Sequence, residues 1–137
     1  MDRWFITGCS TGIGREIARA ALQAEHHVAV TARRPETIAD FADEFGDRAL
    51  VLALDVTDKD QITAAVRAAE DEFGRIGVLV NNAGNGYLSA VEEGEDDKIR
   101  KLFDTNYFGV VDTLKAVLPG MRARRSGHIV NISSMTG

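Results

Sequence analysis

Three glycines follow a short apolar run near the start of the chain, in a spacing that suits phosphate binding. Trp4-Phe5-Ile6 is apolar, residues 7–14 read TGCSTGIG, and a helical pattern of apolar residues begins at Ile13. A strand, a glycine turn and a helix in this order place free N–H groups and a positive dipole end at the carboxyl edge of a sheet. The glycines allow a tight turn, close approach of a pyrophosphate, and close packing of helix on strand. The spacing G-x-x-x-G-x-G differs from the common dinucleotide fingerprint, so an ordinary βα loop is the alternative for this stretch taken alone.

Four further stretches of small, polar or charged residues follow apolar runs. They are residues 31–34 (TARR), 55–57 (DVT), 81–84 (NNAG) and 133–134 (SS). In a doubly wound sheet, ligands bind outside the carboxyl ends of the strands. We therefore expect these stretches and the glycine turn to form one site along one edge of a sheet.

The elements that must position these residues alternate along the chain, which predicts βαβ units and a parallel sheet. The predicted strands are 3–7, 27–32, 49–54, 78–81 and 128–132, and the predicted helices are 13–25, 36–45, 59–73 and 96–118. Several strands are apolar at successive positions, as expected for strands covered on both faces. Pro35 suits the start of the second helix, Thr57 or Asp58 can N-cap the third, and Gly74 can end it.

The fourth predicted helix, 96–118, carries more apolar surface than one stripe requires. Beside its main stripe it has a second apolar patch formed by Tyr107, Phe108, Val111 and Leu114. A second apolar face on a helix predicts a second packing partner. We therefore expect a homodimer or tetramer that forms through this helix.

Composition excludes several classes of function. The chain has 137 residues, 45% of them hydrophobic, and a net charge of −5, so it lacks the basic field that nucleic acid or an anionic membrane would require. The single cysteine, Cys9, rules out an intrachain disulfide, and no Cys/His cluster has metal-ligand spacing. No apolar run approaches the length of a membrane span, and Met1-Asp2-Arg3 leads straight into the first strand without a signal peptide. We expect a cytoplasmic protein without a metal site.

In their order, these motifs resemble those of the short-chain dehydrogenase/reductase family. Residues 7–14 match the family's TGxxxGxG, Asp55-Val56 its acidic pair after strand three, and residues 81–84 its NNAG. Residues 131–134 resemble its serine motif at the end of strand five, and Asn106 its helix asparagine. The resemblance covers the whole chain and implies an α/β Rossmann-type, doubly wound parallel sheet with strand order 3-2-1-4-5.

The resemblance also implies roles for individual residues. The glycine turn, with Gly8, Gly12, Ile13 and Gly14, would hold the cofactor pyrophosphate. Asp55 would accept a hydrogen bond from the adenine amino group beside the Val56 backbone, and Asn82, Ala83 and Gly84 would leave room for a ribose. Ser134 would bind the substrate oxygen and Asn106 would hold a relay water. The alternatives are a turn acid at Asp55, a polar strand terminus at Ser133 and Ser134, and an amide satisfied by backbone at Asn106.

The end of the second strand indicates which dinucleotide is used. An NAD enzyme of this type places an acid there to bind the ribose hydroxyls, whereas this chain has Ala32 followed by Arg33 and Arg34. A guanidinium can bind a 2′-phosphate bidentately. We therefore predict NADP rather than NAD, with Arg33 as the main contact and hydroxyl donors from Ser10 and Thr11. The alternative is that both arginines are solvated surface residues.

The family's Tyr-x-x-x-Lys, which supplies and activates the proton donor, has no counterpart in the sequence. Tyr87 and Tyr107 are the only tyrosines, and valine stands four residues after each. We therefore expect residues 1–137 to be an NAD(P)-binding Rossmann domain that lacks its C-terminal side, from an oxidoreductase acting on a small carbonyl or alcohol. A non-catalytic NADP-binding module is the alternative. The substrate and the direction of reaction are left open.

Overall fold

Five parallel strands form the central sheet of the computed structural model, which describes residues 1–135. The strands are β1 (Arg3–Ile6), β2 (His27–Ala32), β3 (Ala49–Ala53), β4 (Val78–Asn81) and β5 (His128–Asn131). Their order across the sheet is β3-β2-β1-β4-β5, with every neighbouring pair parallel. The predicted strands and the predicted sheet order are thus confirmed.

Helices follow the strands in the predicted alternation. They are α1 (Gly12–Gln23), α2 (Ala39–Phe45), α3 (Lys59–Phe73), α4 (Asp96–Phe103) and α5 (Gly109–Arg124), with short 3₁₀ turns at Pro35–Ile38, Gly46–Arg48 and Val91–Glu93. Asp58 caps α3 by accepting hydrogen bonds from the N–H groups of Asp60 (3.0 Å) and Gln61 (3.2 Å). Gly74 ends α3 at φ +82°, in the left-handed conformation that glycine adopts without strain.

The sheet is covered on both faces, and alternate strand residues point to opposite sides. Ile6 of β1 packs in a cluster with Leu22 of α1 and Phe41 of α2, whereas its neighbour Phe5 packs with α3 and α5. This two-sided burial explains why the strands are apolar at successive positions. Because all neighbouring strands are parallel, their carboxyl ends lie along one edge of the sheet.

The fourth predicted helix is not one regular helix. A π-helical turn, Asp104–Phe108, separates α4 from α5. Beyond it, the helix continues past the predicted end at residue 118 and contains Pro119. Val117 and Met121, on either side of this proline, are both buried in the core, and we attribute the continuation to that packing.

Candidate functional site

The glycine turn after β1 is held at the carboxyl edge by hydrogen bonds to both neighbouring strands. The N–H of Thr7 donates to the carbonyl of Val80 in β4 (3.1 Å), and the N–H of Cys9 donates to that of Thr31 in β2 (2.8 Å). The turn therefore lies between β2 and β4, where the strand order reverses, which is the usual ligand site of such sheets.

The three glycines of the turn have distinct structural roles. Gly8 has φ +69°, and a Cβ there would lie 2.8 Å from Ala83 Cα. Gly14 packs so closely that a Cβ would lie 2.2 Å from Asn82 Nδ2. Gly12 has φ +62°, yet no described atom lies within 4 Å of its Cβ position. Gly8 and Gly14 thus serve packing, and Gly12 leaves an open place on the turn.

The N-terminus of α1 faces this open place with its main-chain N–H groups. Thr11 is the N-cap in extended conformation, and within residues 1–135 its side chain makes no capping hydrogen bond. The first turn, beginning at Gly12, contains no acid. A helix N-terminus whose N-cap side chain makes no capping bond, and whose first turn lacks an acid, favours an anion. Ile13, in the same turn, has a 62% exposed side chain, so the apolar stripe of α1 begins only after it.

Thr7 is a site residue to which the sequence interpretation gave no role. Its hydroxyl oxygen accepts the N–H groups of Asn82 (3.0 Å) and Ala83 (2.9 Å). In return, the Asn82 side-chain amide donates to the carbonyls of Thr7 (3.2 Å) and Gly8 (2.9 Å). This reciprocal bonding fastens the loop after β4 to the glycine turn. The position of Thr7 directly before the first glycine of the turn was the available clue in the sequence.

Asp55 and Val56 follow β3 at the same edge. Oδ1 of Asp55 accepts hydrogen bonds from the N–H (2.9 Å) and the hydroxyl (2.7 Å) of Thr57, so this carboxylate forms the local turn named above as the alternative role. Val56 is buried and lies against Gly109, where a Cβ would come within 2.7 Å of Val56 Cγ2. The side chain of Val56 therefore belongs to the core, and only its backbone can face a ligand.

Arg33 and Arg34 directly follow β2, and both side chains are exposed. The carbonyl of Arg34 accepts hydrogen bonds from the N–H (3.0 Å) and the hydroxyl (2.6 Å) of Thr37. These bonds order the loop that carries the two guanidinium groups. Exposed cations on an ordered loop beside an open glycine turn can bind an anionic group.

Asn106 lies in the π-helical turn and reaches the loop after β4. Its Oδ1 accepts the N–H of Asn85 (2.8 Å), and its Nδ2 donates to the carbonyl of Asn85 (2.7 Å). A Cβ on Gly84 would lie 3.2 Å from Asn106 Oδ1. Both ends of the amide are thus occupied by backbone, as the alternative role for this residue supposed, and Asn85 is a second residue that the sequence interpretation missed.

The serine motif lies beyond β5. Ser133 and Ser134 are exposed at the carboxyl end of that strand. Nearby, the Asn81 side chain donates to Asn131 Oδ1 (2.9 Å) and joins the ends of β4 and β5. The motif therefore lies at the same sheet edge as the glycine turn.

Cys9 is part of the turn but carries no reactive thiol. It is fully buried, and burial raises its pKa to about 12. Its Sγ donates to the carbonyl of Ile6 at 3.4 Å. Cys9 therefore has a packing role, since nucleophilic thiols need a lowered pKa and some exposure.

Across residues 1–135, no group of three His, Cys, Asp or Glu side chains is placed to hold a metal ion. In the same part of the chain, no helix combines the length and apolar character needed to cross a bilayer.

The site fits a dinucleotide phosphate on three structural grounds. The turn is open at Gly12, α1 begins there with an N-cap side chain that makes no capping hydrogen bond within residues 1–135, and the exposed Arg33 lies on the adjacent loop. A side chain at position 12 would occupy the place where a diphosphate would approach the backbone. The residues present therefore suit such a cofactor.

Comparison with known proteins gives a consistent assignment. A family model for short chain dehydrogenases matches residues 3–137. Oxidoreductase BOA17 of Botryotinia fuckeliana is 45% identical over 135 residues, which cover 98% of this chain and 49% of that protein. The chain thus spans about half the length of this relative.

Solved structures agree in fold as well as in sequence. A short-chain dehydrogenase from Streptomyces avermitilis superposes with a TM-score of 0.94 at 43% identity, over 98% of this chain and 50% of that one. Serine dehydrogenase in its closed form with NADP⁺ superposes with a TM-score of 0.93 at 35% identity, over 98% of this chain and 55% of that one. Because the family model matches nearly the whole chain, residues 3–137, the chain belongs to the short-chain dehydrogenase family.

Proposed function

We propose that this protein is an NADP(H)-dependent oxidoreductase that acts on a small carbonyl or alcohol substrate. The observation that carries the proposal is the open glycine turn at Gly12, which lies at the N-terminus of α1 and is flanked by the loop bearing Arg33. The similarity to a serine dehydrogenase solved with NADP⁺ supports the choice of cofactor.

In this proposal the backbone of Gly8, Gly12, Ile13 and Gly14 binds the diphosphate, and Arg33 binds the 2′-phosphate with hydroxyl support from Ser10 and Thr11. Oδ2 of Asp55 takes the adenine amino group, since Oδ1 serves the turn with Thr57. Asn82, Ala83 and Gly84 line the ribose with little side-chain bulk. When bound, the nicotinamide supplies the hydride chemistry.

Ser134 is assigned to the substrate, where its hydroxyl would donate a hydrogen bond to the carbonyl oxygen and orient it. The family resemblance implies that Asn106 holds a relay water. Because its amide is engaged with Asn85, the side chain of Asn106 shapes the loop beside the reaction site. A relay water would have to contact another group of this turn.

Self-association through the helical face beyond β4 is part of the proposal. Phe103, Tyr107 and Phe108 are 51–55% exposed, and a groove of about 470 Å³ lies beside Phe103 and Phe108. An exposed aromatic face of this kind suits a subunit contact. A monomer in light scattering at micromolar concentration would contradict this part.

The test is a fluorescence titration of the protein with NADPH and with NADH. We expect NADPH to bind at least about tenfold more tightly, because Arg33 adds a charge-assisted contact. Arg33→Asp should abolish the preference, whereas Arg67→Asp, the same charge change on an exposed position of α3, should not. An unchanged preference in Arg33→Asp would refute the assignment. Oxidation of NADPH that depends on an added aldehyde or ketone would exclude the non-catalytic module.

A further inference from the structure

Arg15 in the first turns of α1 makes three contacts to the segment that follows the Arg33-Arg34 loop. Its Nη1 donates to the carbonyl of Thr37 at 3.2 Å, and its Nη2 forms an ion pair with Asp40 of α2. Its guanidinium carbon lies 4.8 Å from the centre of the Phe41 ring. The side chain is only 25% exposed, so these contacts are partly shielded from water.

These contacts continue into the loop that carries the two arginines. Thr37, which accepts from Arg15, donates twice to the carbonyl of Arg34. The next residue, Ile38, is fully buried in the core. An unbroken set of hydrogen bonds therefore joins α1 to the backbone beside Arg33.

Arg15 lies on α1, and the N-terminus of α1 forms the end of the glycine turn. Arg15 stands three residues after Gly12, and so the open turn and the loop contact lie on one rigid element. Two anion-binding parts joined in this way keep a fixed separation. Fixed separation favours a ligand that carries a diphosphate and a separate 2′-phosphate, because less ordering is needed on binding.

We propose that Arg15 is a positioning residue for recognition of the 2′-phosphate, acting by holding the Arg33-Arg34 loop at a set distance from the N-terminus of α1. The inference rests on the proposed function, in which Arg33 binds that phosphate. Under this inference the preference for NADP also depends on Arg15, whose guanidinium binds Thr37 and Asp40 rather than the phosphate.

Arg19, one turn further along α1, provides a matched comparison. It also lies over the Phe41 ring, at 5.2 Å, and is 26% exposed. Its short hydrogen bond, 2.6 Å, goes to Glu44 of α2, beyond the loop, and its Nη2 also lies 3.7 Å from Oδ2 of Asp40. Loss of Arg19 therefore removes a similar charge and ring contact without touching the carbonyl of Thr37.

The experiment compares dissociation constants for NADPH and NADH in the wild type, Arg15→Gln and Arg19→Gln, measured by nicotinamide fluorescence. For Arg15→Gln we expect NADPH to bind about fivefold or more weakly, with NADH changed by less than about twofold. Arg19→Gln should leave the ratio of the NADPH and NADH dissociation constants as it is in the wild type. Equal weakening of both cofactors in Arg15→Gln would show a purely structural role and overturn the inference.

Asp40→Asn separates positioning from direct contact with the phosphate. If Arg15 positions the loop, loss of its ion pair loosens the loop, and NADPH binding weakens. If Arg15 instead contacts the phosphate, removal of the competing carboxylate strengthens NADPH binding, which would overturn the inference. This variant also provides the test should Arg15→Gln fail to fold.

Failure of the proposed function has a different signature. A wild type that binds both cofactors equally refutes the NADP assignment, whatever Arg15 does. A wild type that prefers NADPH and loses the preference in Arg33→Asp, but keeps it in both Arg15→Gln and Asp40→Asn, refutes only the positioning role.

Discussion

The side-chain amide of Asn106 pairs with the main chain of Asn85 through two hydrogen bonds, 2.8 and 2.7 Å long. This pair joins the π-helical turn to the loop after β4 across 21 residues of sequence. π-Helical turns inserted between α-helices are frequent at functional sites. Here the turn places an amide where it can satisfy both backbone groups of one loop residue.

Replacement of Asn106 by Ala should loosen this loop without unfolding the sheet. Because two hydrogen bonds to Asn85 are lost, we expect amide exchange at Asn85 to accelerate roughly tenfold. Hydrogen exchange resolved by NMR is the measurement. Asn131→Ala, which breaks the amide pair with Asn81 at β5, is the control. Unchanged exchange at Asn85 in Asn106→Ala would mean that the pair does not hold the loop.

Thr7→Val should destabilise the protein by about 1–3 kcal/mol, because two N–H groups lose their shared acceptor while the shape of the side chain is kept. Thr7→Ser retains the hydroxyl and should cost less. Thr113→Val is a suitable control, since this buried threonine donates within α5 to the carbonyl of Gly109 and its loss strands no N–H group. Chemical denaturation gives the free energy of unfolding. An effect of Thr7→Val no larger than that of Thr113→Val would contradict the role assigned to Thr7.

The glycines of the turn should respond differently to alanine. Gly14→Ala places a Cβ 2.2 Å from Asn82 Nδ2, and we expect a loss of stability of about 2 kcal/mol or more. Gly12→Ala meets no described atom within 4 Å, so its cost should be the left-handed strain of about 1–2 kcal/mol.

Gly74→Ala shares that positive φ and open surroundings but lies at the end of α3. The two variants should therefore lose similar stability in thermal unfolding, whereas only Gly12→Ala should weaken the binding of NADPH. Equal cofactor affinity in these two variants would argue against a diphosphate at Gly12.

Cys9 should be unreactive in the folded protein. With its pKa raised to about 12 by burial, the thiol stays protonated at pH 8 and inaccessible to iodoacetamide. The folded state holds this proton more tightly than the unfolded state, so the associated stability is present below about pH 9 and declines toward pH 12. Mass spectrometry should detect alkylation only in denaturant. Rapid alkylation without denaturant would contradict the buried position.

Much of the fold was readable from the sequence because its patterns are local. Apolar runs such as Val28-Ala29-Val30 gave the buried strands, and the positions of Asp58 and Gly74 gave both ends of α3. The glycine turn was predicted because positive φ and close approach demand glycine. These are constraints that single residues and their neighbours carry.

Other features depend on packing between distant parts of the chain. The Asn106–Asn85 pair needs a π-helical turn that no spacing rule reveals. The passage of α5 through Pro119 depends on core contacts of Val117 and Met121, which outweigh the helix-ending tendency of proline. The contact of Arg15 with Thr37 likewise required the arrangement of several elements to be known.

The central claim is that a dinucleotide diphosphate rests on the N-terminus of α1 while its 2′-phosphate meets Arg33. The most direct measurement is a titration of ¹⁵N-labelled protein with NADP⁺, followed by amide chemical shifts. The account predicts the largest shifts at Gly12 and Ile13, with a second group at Arg33 that is reduced when NAD⁺ replaces NADP⁺. Shifts confined to another surface, with the amides of Gly12 and Ile13 unmoved at saturation, would contradict it.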